Sequence, residues 1–240
     1  MEQSRKKFLK NMFIGAASVP LIFEACKKDS SSGSGSGSGS CIVTAEEVEG
    51  PYPYVGGELT NPLNRADVTA GQTGVPLALA FTVVNTNSNC ALISNARVDI
   101  WHCNKDGYYS GYNGQNGGSL GTQNYSGQTW LRGYLLTDAT GKANFNTVYP
   151  GWYQGRATHI HMEVFINNVL KKTAQITFPE SISDVVHVSS LYAAHGVNTM
   201  RNSSDGIFNN SATDLANETV ALTGSVAAGY SGSYTIGIAL

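Results

Sequence analysis

The stretch Tyr149-Pro-Gly-Trp-Tyr-Gln-Gly-Arg-Ala-Thr-His-Ile-His161 gathers tyrosines, an arginine and a His-x-His pair just after a Pro-Gly turn. His159 and His161 are two apart. If the run THIHMEVF is a strand, both imidazoles leave one face of the sheet, with Cα atoms roughly 6–7 Å apart. Neutral imidazoles so spaced can converge on one metal ion. Tyr153 precedes them, and Tyr109 closes an earlier segment that begins at Trp101. If Tyr109, Tyr153, His159 and His161 meet, two phenolates and two imidazoles form a hard, anionic donor set. Such a set suits ferric iron better than zinc, magnesium or calcium. A phenol with an ordinary pKa of about 10 needs a strong positive neighbour, such as a trivalent cation, to ionise at neutral pH. Each residue alone reads more plainly: Tyr109 and Tyr153 as packed tyrosines, Arg156 as a surface cation, the histidines as a polar face or a copper or zinc site. His102, His187 and His195 read as structural, and Trp101, Trp130 and Trp152 as core or pocket wall.

The elements that must position these groups read as strands. Strand-like runs cover Leu77 to Val84, Ala96 to His102, Leu131 to Thr137, Lys142 to Thr147, His159 to Ile166, Lys172 to Phe178, Glu218 to Thr223 and Ser233 to Ile238. Gly, Asn, Asp and Pro clusters punctuate them, and Asp138-Ala-Thr-Gly141 reads as a hairpin turn. The pattern predicts an all-β fold, an antiparallel β-sandwich whose long loops form a metal site at one end. Ser183 to His195 is the segment expected as a short helix or irregular loop. Residues 106–128 form a long loop rich in Gly, Asn and Tyr, of a length that is usually functional. That loop and the 49–55 segment are expected to set substrate choice.

Composition narrows the function class. Only 13% of the 240 residues are charged and the net charge is −2, which gives no footprint for nucleic acid. Residues 1–25 read as an export signal: a basic start, an apolar run too short to span a bilayer comfortably, and Cys26 at its end. Arg5-Lys6 resembles a weakened twin-arginine signal, with the general secretory route also open. Cys26 fits a lipidated first residue, and residues 26–40, Lys27-Lys28-Asp29 followed by Ser30 to Ser40 in Ser/Gly alternation, a flexible tether. Residues 41–240 then form the catalytic domain, outside the cytoplasm on the periplasmic or cell-surface side. There one disulfide is expected among Cys41, Cys90 and Cys103, with the pairing open.

Taken together and in order, Val98-Asp-Ile-Trp-His-Cys-Asn-Lys-Asp-Gly-Tyr-Tyr109, Leu131-Arg-Gly with Thr137-Asp-Ala-Thr-Gly141, and the Tyr149–His161 stretch resemble the intradiol ring-cleavage dioxygenases, the non-haem ferric family of protocatechuate 3,4-dioxygenase and catechol 1,2-dioxygenase. Glu49-Gly-Pro-Tyr52 is similar to the segment that precedes the core in that family. The resemblance implies Fe(III) held by Tyr109 and His161 as equatorial ligands and by Tyr153 and His159 as axial ones. It implies that Arg156 stabilises negative charge on the substrate, that Gln175 and Tyr52 lie against it, and that Tyr153 leaves the metal when substrate arrives. The implied reaction opens a catechol-type ring with O2 between its hydroxyl-bearing carbons, to a cis,cis-muconate-type diacid. An anchored carbohydrate-binding or adhesive sandwich is the alternative; it would need no converging tyrosines and histidines and would be colourless.

Overall fold

The computed structural model describes residues 41–60 and 63–240; the expected export signal and tether, with Cys26, lie outside the described residues. The strands are β1 (Pro76–Asn85), β2 (Ala91–Leu92), β3 (Arg97–Trp101), β4 (Gln115–Asn116), β5 (Thr122–Gln123), β6 (Arg132–Leu136), β7 (Lys142–Val148), β8 (His159–Ile166), β9 (Val169–Thr177), β10 (Leu222–Ser225) and β11 (Gly229–Ile238). Two short helices, α1 (Glu180–His187) and α2 (Ala212–Glu218), lie between β9 and β10. One sheet runs β10-β11-β1-β2, with β7 also pairing β1; the other runs β6-β3-β8-β9.

Strict alternation builds the core. In β1, Leu77, Leu79, Phe81 and Val83 are buried on one face; they share one apolar cluster with Phe145 of β7, Ile236 and Ile238 of β11, Val98 and Ile100 of β3, and Ile160, Met162 and Val164 of β8. Each such side chain contributes about 1.5–3 kcal/mol by leaving water. In β8 the period of two sends His159, His161 and Glu163 to the opposite face, yet these are buried as well.

That second face is covered by the segment 44–58. The Glu47 N–H donates to Thr173 O at 2.9 Å, Gln175 Nε2 to Val48 O at 2.8 Å, and Arg97 to Glu58 O at 2.8 Å. Lys172 pairs with Glu46 at 2.7 Å. A polar layer therefore lies between strap and sheet, and the two histidines sit within it.

Three features differ from the sequence reading. The β1–β11 ladder is parallel, from Leu77↔Tyr230 to Asn85↔Ile238, within a set of otherwise antiparallel pairs. The strand expected over Glu218–Thr223 is shifted to Leu222–Ser225: Glu218 ends a helix that the Ser211 side chain caps by accepting from Asp214 N, and Thr219 makes an isolated bridge to Thr177. The 106–128 loop is locally ordered, carrying the β4–β5 ladder, with Gln115 Oε1 accepting from Tyr109 N and Gln115 Nε2 donating to Tyr109 O at 2.7 Å. Cys41 and Cys90 form the disulfide, leaving Cys103 as a buried thiol.

Candidate metal centre

β8 places His159 and His161 on its strap-facing side, and their Nε2 atoms are 3.0 Å apart. Tyr109, fully buried at the start of the 106–128 loop, brings its hydroxyl to 3.2 Å from His159 Nε2 and 3.1 Å from His161 Nε2. Donors bound about 90° apart on a metal with bonds of about 2.1 Å are themselves about 3 Å apart, so this triangle has the spacing of neighbouring ligands. His159 Nδ1 lies 2.6 Å from Ala157 O, which places the ring proton on Nδ1 and leaves Nε2 a bare acceptor. Two facing nitrogen lone pairs at this distance repel unless a cation or proton lies between them.

The other predicted residues gather at the same place. Tyr153 sets its ring 5.5 Å from His159 and 5.8 Å from Tyr109, centroid to centroid. Its loop comes that close because Gly151 lies on the 104–105 backbone: a Cβ there would stand 2.5 Å from Lys105 O. Tyr52 stacks on Tyr109 at 4.7 Å and meets Tyr153 edge-on at 5.8 Å, roofing the cluster. Arg132 fastens that roof by donating to Tyr52 O and Pro53 O, each at 2.9 Å. Arg156 donates to Tyr153 Oη at 3.3 Å, to Gln175 Oε1 at 2.6 Å and to Asp205 Oδ2 at 2.9 Å. Gln175 is the cross-strand neighbour of His161 and is fully buried; with its Nε2 on Val48 O, both ends of its amide are engaged by the protein. Its visible work is to hold Arg156 against the strap.

Burial dominates the electrostatics. It pushes the Tyr109 phenol well above its ordinary range and Tyr153 up to about 12, the latter against the pull of Arg156. It pushes both imidazoles down, with Arg156 adding to the effect on each. The same burial favours neutral phenols and neutral imidazoles, so a cation binding here must displace phenolic protons. Among the described residues no three His, Cys, Asp or Glu side chains gather in metal-binding fashion. Any metal held here needs tyrosine oxygen, and the donor chemistry fits a hard trivalent ion.

Residues with no ligand or substrate role in the sequence reading complete the site. Trp101 stacks on His161 at 4.9 Å with planes 4° apart, fixing that ring. Gly50, at φ +76°, passes so close that a Cβ would lie 2.9 Å from His161 Cε1. Asp205, which no local pattern links to the His-x-His stretch, also accepts from Ala157 N at 2.6 Å. His102 is structural, as expected: its nitrogens meet Cys103 O at 2.8 Å and Thr147 Oγ1 at 2.7 Å.

Comparison with known proteins shows the family. The Dioxygenase_C family model, described as Dioxygenase, matches residues 48–206, which include Tyr52, Tyr109, Tyr153, Arg156, both histidines, Gln175 and Asp205. The chain belongs to the intradiol ring-cleavage dioxygenase family. An intradiol ring-cleavage dioxygenase from Tetranychus urticae superposes with a TM-score of 0.71 at 27% identity, covering 83% of this chain and 95% of that one. The dioxygenase domain of a dioxygenase carbohydrate-binding fusion from Streptomyces sp. SirexAA-E shares the fold, with a TM-score of 0.59 at 20% identity, over 83% of this chain and 99% of that one. Catechol 1,2-dioxygenase 1 of Acinetobacter lwoffii is 26% identical over 150 residues, 55% of this chain. This intradiol family member spans 45% of the length of that relative.

Proposed function

We propose that this chain is an exported, ferric-iron-dependent intradiol dioxygenase acting on a catechol-type substrate. The observation that carries the reading is the triangle of Tyr109 Oη, His159 Nε2 and His161 Nε2, with sides of 3.0–3.2 Å, next to Tyr153 and Arg156. Tyr109, Tyr153, His159 and His161 would hold Fe(III), which when bound would supply the Lewis acidity that ring opening of a catechol by O2 requires. The rest is the work of the chain's own residues. His159, with its proton kept on Nδ1 by Ala157 O, presents Nε2. Tyr153 Oη, 3.3 Å from Arg156, would accept one proton from the incoming catechol. Arg156, held by Asp205 and Gln175, turns its remaining guanidinium face to the charge that develops on the substrate. Tyr52 and the strap exclude water from the His161 side. The overall change balances without an outside reductant: one carbon–carbon bond breaks, and both atoms of O2 enter the two new carboxyl groups.

The Cys41–Cys90 disulfide supports an oxidising compartment, consistent with export through residues 1–25 and lipid anchoring at Cys26. Oxygen uptake across a panel of catechols, with mass analysis of products made under labelled dioxygen, tests the activity. The reading expects a diacid containing both labelled atoms. A colourless protein that consumes no oxygen with any catechol overturns it and leaves the anchored binding module.

A further inference from the structure

A cavity of about 330 Å³ adjoins the candidate metal centre on the side of Tyr153. Tyr153 is the shared wall: it lines the cavity, and its other contacts are Tyr109, His159 and Tyr52. Asn116 and Ser119 line the wall contributed by the 106–128 loop, and Trp152, Gln154 and Thr199 also line the cavity.

That wall is built before any ligand arrives. The β4–β5 ladder pairs Asn116 with Thr122, and Asn116 Oδ1 accepts from Gly118 N at 3.0 Å. Gly117 lies on Tyr108, whose hydroxyl donates to Gly121 O at 2.8 Å; a Cβ on Gly117 would overlap that hydroxyl. Trp152 is clamped by its Nε1–H on Gly196 O at 2.9 Å and by His195, stacked on it at 3.9 Å.

The lining chemistry is selective. Amide and hydroxyl side chains both donate and accept, which is what a ligand hydroxyl requires. A flat indole gives such a ligand an apolar platform. The one carboxylate, Asp106, is held by Lys105 at 2.7 and 2.9 Å, and the one imidazole, His195, is stacked on Trp152 with burial opposing its charge, so the lining offers no free cation to an anionic group. The volume, at the lower end of the ligand-pocket range, suits one sugar-sized ring.

We infer that this cavity is a substrate subsite for an uncharged, hydroxyl-rich group carried by the catechol ring, so that the natural substrate is a catechol bearing a sugar or polyol extension and not a carboxylate-substituted one. The inference rests on the ring-cleavage reading above and names the substrate class of that site. Catechol hydroxyls reach the metal while the extension passes Tyr153 into the cavity.

The test compares three probes on the iron-loaded protein: 4-(2-hydroxyethyl)catechol, the same compound with a β-glucosyl group on its side-chain oxygen, and 3,4-dihydroxybenzoate. The glucoside is expected to have a kcat/KM at least about tenfold above the aglycone, with the benzoate poorest. Gln154→Ala combined with Ser119→Ala, both at exposed positions, should raise KM for the glucoside about five- to tenfold while leaving the aglycone within about twofold. Binding is read separately under nitrogen, by quenching of tryptophan fluorescence, where the glucoside should bind more tightly than the aglycone and lose that advantage in the double variant. Equal kcat/KM for glucoside and aglycone, preference for the benzoate, or equal losses on both catechols in the variant would overturn the subsite. Absence of oxygen uptake with every probe, but tighter binding of the glucoside, would overturn the ring-cleavage reading and keep the cavity's ligand class.

Discussion

Arg156→Ala tests stability and chemistry at once, because the guanidinium binds the buried Asp205 and also faces the candidate metal centre beside Tyr153. Its Nε is 2.9 Å from Asp205 Oδ2, and the Asp205 side chain is fully buried. Burial opposes ionisation of Asp205, but the Ala157 N–H, Arg156 and the Ile207 N–H together hold its carboxyl below the usual range. Removing one member of a buried pair ordinarily costs about 3–5 kcal/mol. Here Asp205 would keep two backbone donors, at 2.6 Å from Ala157 and 2.8 Å from Ile207. Those two bonds reduce the expected cost to about 2–3 kcal/mol. Asp205→Asn should cost about 2 kcal/mol, and the double variant should fall short of the sum by about 1.5 kcal/mol or more. Urea denaturation of the metal-free proteins measures all three, provided the slopes agree. In iron-loaded protein the same Arg156→Ala should retain the metal while kcat falls about 10²–10³-fold, the scale for losing one donor to developing charge. Additivity within about 0.5 kcal/mol would refute the pairing, and full activity would refute the role in charge stabilisation.

Gly50→Ala should loosen the strap over His161, lowering iron occupancy and stability by about 1–3 kcal/mol, read by metal analysis and denaturation; unchanged iron content would contradict the close approach. Burial, then the Glu47 carboxylate, raises Glu218 to about 8 from an ordinary 4.5, so the folded chain keeps a proton that the unfolded chain has released. Stability should therefore be full below about 4.5 and decline as pH rises through about 8, and Glu218→Gln should flatten that decline by on the order of 1–2 kcal/mol in denaturation at stepped pH. Reduction of Cys41–Cys90, which closes a span of 49 residues, should cost about 2–4 kcal/mol in the same assay without altering the visible spectrum of the metal-loaded protein.

What the sequence revealed follows from range. β8 was legible end to end because HIHMEVFI carries both a strand's alternation and its chemistry, and the same period put both histidines on one face. Tyr153, not Tyr149, belongs to the cluster: Tyr149 shares its hydroxyl with Ser183 at 2.7 Å in the core. The helix that still holds Glu218 starts at Ser211, whose side chain accepts from Asp214 N, a local helix signal present in the sequence. The parallel β1–β11 pairing, the Cys41–Cys90 bridge and the Asp205–Arg156 contact join residues far apart in the chain, and no local propensity encodes them. Gly50 and Trp101 had a signal only in their motifs, since a glycine's need to be small shows once its neighbour's position is known.

The central claim is that phenolic oxygen and imidazole nitrogen share one ferric ion. Loading the metal-free protein with ferric iron, followed by visible absorption and iron analysis, tests it most directly in the wild type, Tyr109→Phe, Tyr153→Phe and His161→Ala. The account predicts one iron per chain and a burgundy tyrosinate-to-iron band that shifts in each tyrosine variant, with iron lost in His161→Ala. A protein that stays colourless, or whose iron and colour are the same in all four forms, would contradict it.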